Sequence, residues 1–277
     1  MEIELSEKLA ALAHPKRLAL FRLLMRRYPD GVPAGEIAEA LEFKPNTASA
    51  YLSVLKQAGL ITQQRFGTSL MYAADLPGLR GMFDGLLSGC CRNRPDICSP
   101  ATSEEKTMPT PELPFNVLFI CTGNSARSLL AEAILNTEGG GRFRAFSAGT
   151  RPSPGPRPEV MSLLQAKDID TSGLCSKDLD EFSAPDAPQM DFIFTVCDHA
   201  ANEECPAWPG QPMSAHWGLA DPVKAEGTDA ECRLAFQQAY GLLRNRIRAF
   251  AALPFETLDR MSLQHRLDGI GQLNSSD

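Results

Sequence analysis

The sequence has no long apolar run. No stretch approaches the ~20 residues that cross a bilayer, so no membrane partner is expected. It has no internal repeat, and its opening, "MEIELSEKLAALAHPKRLALF", is acidic and interrupted by charges, which does not read as a secretory signal. A cytoplasmic protein is the expectation. Histidine is scarce, at four residues. His199 and His216 have no paired carboxylate at a metal-like spacing, so they read as polar loop or core residues rather than as a base or metal ligands.

What is present fits a globular chain: 277 residues, 43% hydrophobic and 22% charged. That length exceeds one typical domain, so two are expected. Charge divides them. Residues 1–100 carry 12 Lys/Arg against 10 Asp/Glu, whereas residues 101–277 carry 15 against 24. Only the first part has a balance suited to nucleic acid. In a reducing cytosol, eight cysteines point to metal binding or catalysis rather than to four disulfides.

The first hundred residues read as short helices: "SEKLAALAH", "PKRLALFRLLMRR", "PAGEIAEALEF" and "KPNTASAYLSVLKQAGL", the last entered through Pro45 and ended by Gly59. "LITQQRFGTSLMYAA" alternates and turns at Gly67 as a hairpin, and "LPGLRGMFDGLLSGCC" is helical again. "RPDICSPATSEEKTMPTPELP" has no periodicity and reads as a linker. From Phe115 onward, strands "FNVLFI", "FRAFSAG" and "DFIFTVC" alternate with helices "SARSLLAEAILN", "RPEVMSLLQAKD" and "AECRLAFQQAYGLLRNRIRAFAAL". This predicts a doubly wound α/β parallel sheet. The closing "PFETLDRMSLQHRLDGIGQLNSSD" reads as a short helix and a frayed tail.

"ICTGNSARS" puts Cys121 at the carboxyl end of the first strand, where doubly wound sheets bind ligands. The amides of Thr122, Gly123, Asn124, Ser125, Ala126 and Arg127 are predicted to turn inward as an anion nest, reinforced by the helix that begins near Ser125. The same field is expected to lower the Cys121 pKa. Arg127 is placed to clamp a tetrahedral oxyanion, and Gly123 permits a backbone angle that a side chain would resist. The parts describe a thiolate nucleophile in a phosphate-shaped, oxyanion-binding loop.

These residues, with "CTGNSARSLLAEA", "FSAGT", "TVCDHAANEECPAWPG" and "HWGLADP", resemble the low-molecular-weight protein tyrosine phosphatase superfamily, and most closely its arsenate reductase branch, over about residues 113–252. The resemblance implies that Cys121 is the nucleophile, Arg127 the oxyanion binder, Asn124 and Ser128 supports of the loop, and Asp221 the general acid. Phosphate and arsenate have the same shape, so the loop leaves phosphatase and reductase both open. A reductase must supply two electrons, which thiols provide by forming a disulfide. Cys197 closes the third strand at the same sheet edge, and Cys205 follows eight residues later. In thioredoxin-coupled relatives a disulfide passes from the nucleophile to two such cysteines; other relatives use glutathione with glutaredoxin, or mycothiol. Here the Cys197–Cys205 interval is one residue longer than in the thioredoxin-coupled pattern, and Ala126 stands where a cysteine is often found. The donor stays open, and Cys197 and Cys205 also admit a plain core reading. Cys175 and Cys232 read as helix or turn residues, and the carboxylates of Asp178–Glu181 as a solvated helix start. Val223 and Lys224 follow the Asp-Pro where tyrosine phosphatases carry aromatics, which favours a small inorganic anion.

The front half fits a mainly-α winged helix-turn-helix. The fourth helix offers Asn46, Thr47, Ser49 and Tyr51 to a major groove, with Lys44, Lys56 and wing Arg65 for phosphates. A plain dimerisation module is the alternative. "LAHPKRLALFRLL", "AGEIAEAL" and "TASAYLSVLKQAGLI" resemble the ArsR/SmtB family of metal- and metalloid-responsive repressors over about residues 3–98, which implies a homodimer on palindromic operator DNA that lets go when its inducer binds. Cys90, Cys91 and Cys98, three thiols without a fourth ligand, suit trigonal arsenite or antimonite better than zinc. The expected organisation is a DNA-binding and arsenite-sensing domain (1–98), a linker (99–113), an arsenate reductase domain (114–253) and a C-terminal extension (254–277). The alternative is a DNA-binding sensor whose second domain is a phosphatase or a silent oxyanion binder.

Overall fold

The computed structural model describes residues 2–87, 114–184, 186–203, 208 and 210–273. Cys90, Cys91, Cys98 and Cys205, and the expected linker, lie outside these residues. The chain divides into two compact units, residues 1–106 and 107–277.

In the first unit, α1 (Glu2–Leu12) and α2 (Pro15–Arg27) precede the two-residue strand β1 (Val32–Pro33). Helices α3 (Ala34–Ala40) and α4 (Pro45–Gln57), strands β2 (Ile61–Phe66) and β3 (Ser69–Ala74), and α5 (Leu76–Gly85) complete it. Proline opens α2 and α4 at their first turn, where a missing N–H costs no helical bond. Leu20, Leu23 and Leu24 of α2, Leu52 and Leu55 of α4, and Ile37 of α3 are fully buried together. The hairpin turns at Gly67 as expected, with Ile61 opposite Ala74 and Phe66 opposite Ser69. Strand β1 adds a third, antiparallel strand through Val32 and Tyr72. Two residues carry no alternation, so the sequence pattern gave no sign of it.

The second unit is a four-stranded, all-parallel sheet in the order β5-β4-β6-β7: β4 Phe115–Cys121, β5 Phe143–Gly149, β6 Phe192–Thr195 and β7 Met213–His216. Helix α6 (Arg127–Glu138) follows β4, α7 (Pro158–Gln165) follows β5, and a short α8 (Asp198–Asn202) follows β6. The long α9 (Asp229–Ala251) packs against α6 and α7, and α10 (Arg260–Gly271) against β7 and α9. Capping boxes fix two starts, Asp178 with Glu181 before the turn Leu179–Phe182 and Thr228 with Glu231 before α9. The first agrees with the solvated start read at Asp178–Glu181.

Three expectations change. Strand β6 stops at Thr195, and Cys197 is the N-cap of α8 instead of the strand's last residue. Strand β7 has no counterpart in the sequence periodicity, because "MSAH" is short and half polar. The C-terminal extension is part of the core: Leu263 and Leu267 are fully buried, and the Trp217 indole N–H donates to the Leu267 carbonyl at 3.0 Å. Trp217 also stacks on Phe194 at 3.9 Å between ring centroids, within a cluster that includes Phe250 and Phe255. Among the described residues no helix is long and apolar enough to cross a membrane.

Candidate active site

Strand β4 lies between the strand that follows it, β5, and the next one, β6. The strand order therefore reverses beside Cys121, the position where doubly wound sheets open a crevice at their carboxyl edge. The segment from Cys121 to Ala126 then wraps round the start of α6.

Every carbonyl of this segment is tied outward. Those of Cys121, Thr122, Gly123 and Ser125 accept the amides of Thr150, Arg151, Ser153 and Arg157 at 2.8–3.1 Å. The Asn124 carbonyl accepts the Ser176 hydroxyl at 2.7 Å, and that of Ala126 the Leu130 amide at 2.9 Å. With its oxygens drawn out, the loop directs its N–H groups inward, and the first amides of α6, which have no intrahelical acceptor, add to them. Proline occupies 152, 154, 156 and 158, alternating with the residues that donate. This strap is stiff and loses little freedom on ordering.

Asn124 is the keystone. It is buried, at a φ of +42°. Its side-chain amide donates to Ser128 Oγ at 2.9 Å and Ser147 Oγ at 2.7 Å, and its oxygen accepts the Lys177 amide at 2.7 Å. The left-handed backbone thus falls on Asn124 and not on Gly123. At Gly123 a Cβ would come 2.9 Å from Ser153 Oγ, so a larger residue there would make that hydroxyl turn away. Ser147 in turn donates to buried Glu132, whose carboxylate meets Lys177 Nζ at 3.2 Å. Burial raises the Glu132 pKa, against the pull of Ser147 and Lys177. Glu132, Ser147, Ser176 and Lys177 were assigned no role from sequence, although Glu132 and Ser147 stand in quoted motifs; their meeting is a product of the fold.

Cys121 Sγ lies 2.9 Å from Ser128 Oγ and accepts the Asn124 amide at 3.1 Å. The lowered pKa expected for this thiol is corrected. Burial pushes it up; the Ser128 hydroxyl pulls it down, the neighbouring Cys197 sulfur pushes it up further, and the Asn124 amide and Arg127 pull it down. Burial is the largest of these influences, and Arg127, held on Asp221 and Leu219, is the smallest. Its guanidinium donates to Asp221 Oδ2 at 2.8 Å and to the Leu219 carbonyl at 3.1 Å. Arg127 and Asp221 are therefore brought together at the mouth of the loop. Asp221 Oδ1 also accepts the Val223 amide at 3.1 Å. Ser125 and Ala126 close the loop, with Ala126 buried.

Cys197 is buried across the crevice, with its sulfur 3.5 Å from Thr122 Oγ1. Cys175 is exposed and Cys232 half-buried against the Ala225 carbonyl. His199 is an exposed residue of α8 rather than of a loop, and His216 is buried between Thr195 and Asp198. Among the described residues no group of three or more His, Cys, Asp or Glu could hold a metal ion.

In the first unit Lys44, Asn46, Ser49, Lys56 and Arg65 are exposed, and Thr47 is half-buried. Tyr51 is half-buried, with its ring 5.2 Å from His14 and 5.7 Å from Phe43. Lys56 Nζ donates to Gln63 of β2 and so ties α4 to the hairpin.

Fold and site together define a class: a parallel α/β domain whose first strand delivers a cysteine to a loop of tethered carbonyls, with an arginine and an aspartate paired beside it. The family model for low molecular weight phosphotyrosine protein phosphatase matches residues 116–263, more than half of the chain, and the chain belongs to that family. A helix-turn-helix domain model matches residues 12–64. Among curated proteins, the arsenate reductase of Halalkalibacterium halodurans is 36% identical over 135 residues, 49% of this chain and 94% of that protein. The arsenate reductase of Bacillus subtilis is 33% identical, again over 49% of this chain and 94% of that protein. A solved homodimeric winged helix-turn-helix DNA-binding domain of Mycobacterium bovis is 27% identical, over 33% of this chain and 81% of that one, with a TM-score of 0.26.

Proposed function

We propose that this chain joins an arsenite-responsive, operator-binding repressor (1–98) through a linker (99–113) to an arsenate reductase (114–253, with 254–277 as its extension), and that it works as a cytoplasmic arsenic-resistance protein. The observation that carries the reductase reading is the pair of buried thiols at the same edge of the sheet, Cys121 as the last residue of β4 and Cys197 as the N-cap of α8 just past β6, with its sulfur beside Thr122. A phosphatase uses only the first. The 36% identity to a protein named arsenate reductase supports the same reading.

The chemistry follows from these groups. Arsenate enters the loop, Arg127 transfers its fork from Asp221 to the oxyanion, and the Cys121 thiol passes its proton to an arsenate oxygen as its sulfur attacks arsenic. One oxygen leaves as water, with Asp221 supplying a proton, and an S–As bond remains. Cys197, as thiolate, attacks the Cys121 sulfur. The S–S bond forms, the S–As pair stays with arsenic, and arsenic falls from +5 to +3 and leaves as arsenite after taking up protons. Cys205 then attacks Cys197 and frees Cys121, leaving a disulfide for an external thiol donor: thioredoxin, glutaredoxin with glutathione, or mycothiol.

In the repressor, Cys90, Cys91 and Cys98 hold arsenite, and Lys44, Asn46, Thr47, Ser49, Tyr51, Lys56 and Arg65 meet operator DNA from a homodimer. The reductase product is then the sensor's inducer. Arsenate-dependent NADPH oxidation, with each donor system supplied in turn, tests the enzyme. Hydrolysis of aryl phosphate without arsenate turnover under any donor refutes it in favour of a phosphatase. Replacing Cys90, Cys91 and Cys98 by Ser is expected to preserve operator binding and abolish release by arsenite; normal release refutes the sensor site.

A further inference from the structure

Cys197 must hold its sulfur beside the loop until the arsenic adduct forms, yet its own element is weak. As N-cap of α8 it accepts the Ala200 amide at 3.4 Å, and that helix has five residues. So short a helix does not hold its place by its own hydrogen bonds. Ala200 and Ala201 bury it against the core, and the residue after the cysteine fastens its start. Asp198 Oδ1 lies 3.1 Å from His216 Nε2, while His216 Nδ1 lies 2.8 Å from Thr195 Oγ1 at the end of β6. His216 is the last residue of β7 and is 1% exposed. One imidazole therefore bolts the cysteine-bearing helix to two strand ends.

The imidazole is also covered, while Asp198 stays half-exposed. The backbone passes over it at Gly218, where a Cβ would come 2.5 Å from His216 Nε2 and 2.6 Å from Asp198 Oδ1. Only glycine leaves that room. Arg246, buried, holds this backbone by donating to the carbonyls of Trp217 and Gly218 at 2.9 and 3.0 Å. The covering segment runs on to Leu219 and Asp221, the two acceptors of Arg127. His216 thus sits where the element presenting the second thiol meets the segment holding the guanidinium. On its far end, α8 is followed by Glu203, which pairs with exposed Arg151. A solvent-facing pair contributes little to holding a segment.

We infer that His216, acting through Asp198, is a positioning residue that sets the approach of the Cys197 sulfur to the Cys121–arsenic adduct. The inference rests on the reductase reading, and its test separates the two. In a Cys205→Ser chain, arsenate is added, the reaction is quenched with acid, and the Cys121–Cys197 disulfide is followed by mass spectrometry. In parallel, phosphate protection of Cys121 from iodoacetamide reports the loop alone. His216→Leu and Asp198→Ala are expected to slow disulfide formation by about tenfold, since loss of reacting geometry is felt at that scale. Phosphate protection stays within about twofold, and His216→Gln, whose amide reaches the same carboxylate, recovers most of the rate. Asp198 is half-exposed, so its variant keeps the fold should His216→Leu lose it. Unchanged disulfide rates in Asp198→Ala overturn the inference, and so does a parallel fall in rate and protection, which marks a structural role only. No disulfide in the Cys205→Ser parent refutes the reductase reading, and this inference with it.

Discussion

Replacing Asn124 by alanine removes three side-chain hydrogen bonds, to Ser128, Ser147 and the Lys177 amide. The two hydroxyls keep Cys121 and Glu132 as partners, but the Lys177 amide loses its acceptor. At about 1 kcal/mol net per bond, with a further ~1–2 kcal/mol for the stranded N–H, the loss is about 4 kcal/mol. The backbone at φ +42° adds to it, because alanine carries a left-handed cost of roughly 1 kcal/mol that glycine does not. Asn124→Gly should therefore be the more stable of the two variants by about 1 kcal/mol, although glycine is ordinarily the costlier residue. Both tryptophans, Trp208 and Trp217, lie in the second unit, so tryptophan fluorescence, excited selectively over tyrosine, reads that unit alone in a urea titration. A fall of about 4 kcal/mol corresponds to roughly 10 °C in Tm for a unit of this size. Alanine equal to or above glycine, or a loss under about 1 kcal/mol, refutes the role given to the loop's conformation.

Glu132 gives a pH test. Its pKa is raised above the usual 4.5 by burial, so the folded unit holds that proton more tightly than the unfolded chain. Its contribution to stability is greatest below the unfolded value and is lost as pH rises above about 4.5 through the folded value. Glu132→Gln should flatten this decline in stability with pH, measured by urea midpoints from pH 4 upward; an unchanged slope contradicts the assignment. A chain ended at Leu258 loses Leu263 and Leu267, buried completely, and the acceptor of the Trp217 indole. At about 2 kcal/mol per buried leucine, with the orphaned N–H on top, the second unit should lose at least ~4 kcal/mol and become protease-sensitive. Native-like resistance would return residues 259–277 to the status of a dispensable tail. Arg127→Lys keeps the charge but loses the fork. We expect arsenate kcat/KM to fall by about a hundredfold, and a change of less than threefold in the reductase assay argues against a bidentate grip.

Periodicity and punctuation in the chain were enough for most of the architecture. Alternation breaking at Gly67, prolines opening α2 and α4, and strand–helix alternation after Phe115 are local signals, written by side chains that pack within a few residues of one another. The same is true of the loop's position, because Cys121, Gly123 and Arg127 are close neighbours in sequence. Strands too short to alternate, β1 and β7, left no such mark. Only the tertiary structure brought Glu132, Ser147 and Lys177 under Asn124, set Arg127 on Asp221 across 94 residues, and joined Asp198 to His216 under Gly218. It also decided the direction of the Cys121 thiol, which depends on how many layers of protein exclude water and on where a guanidinium 13% exposed finds its nearest carboxylate. Desolvation and long-range pairing are sums over the packed molecule, and a single stretch of sequence holds too few of their terms.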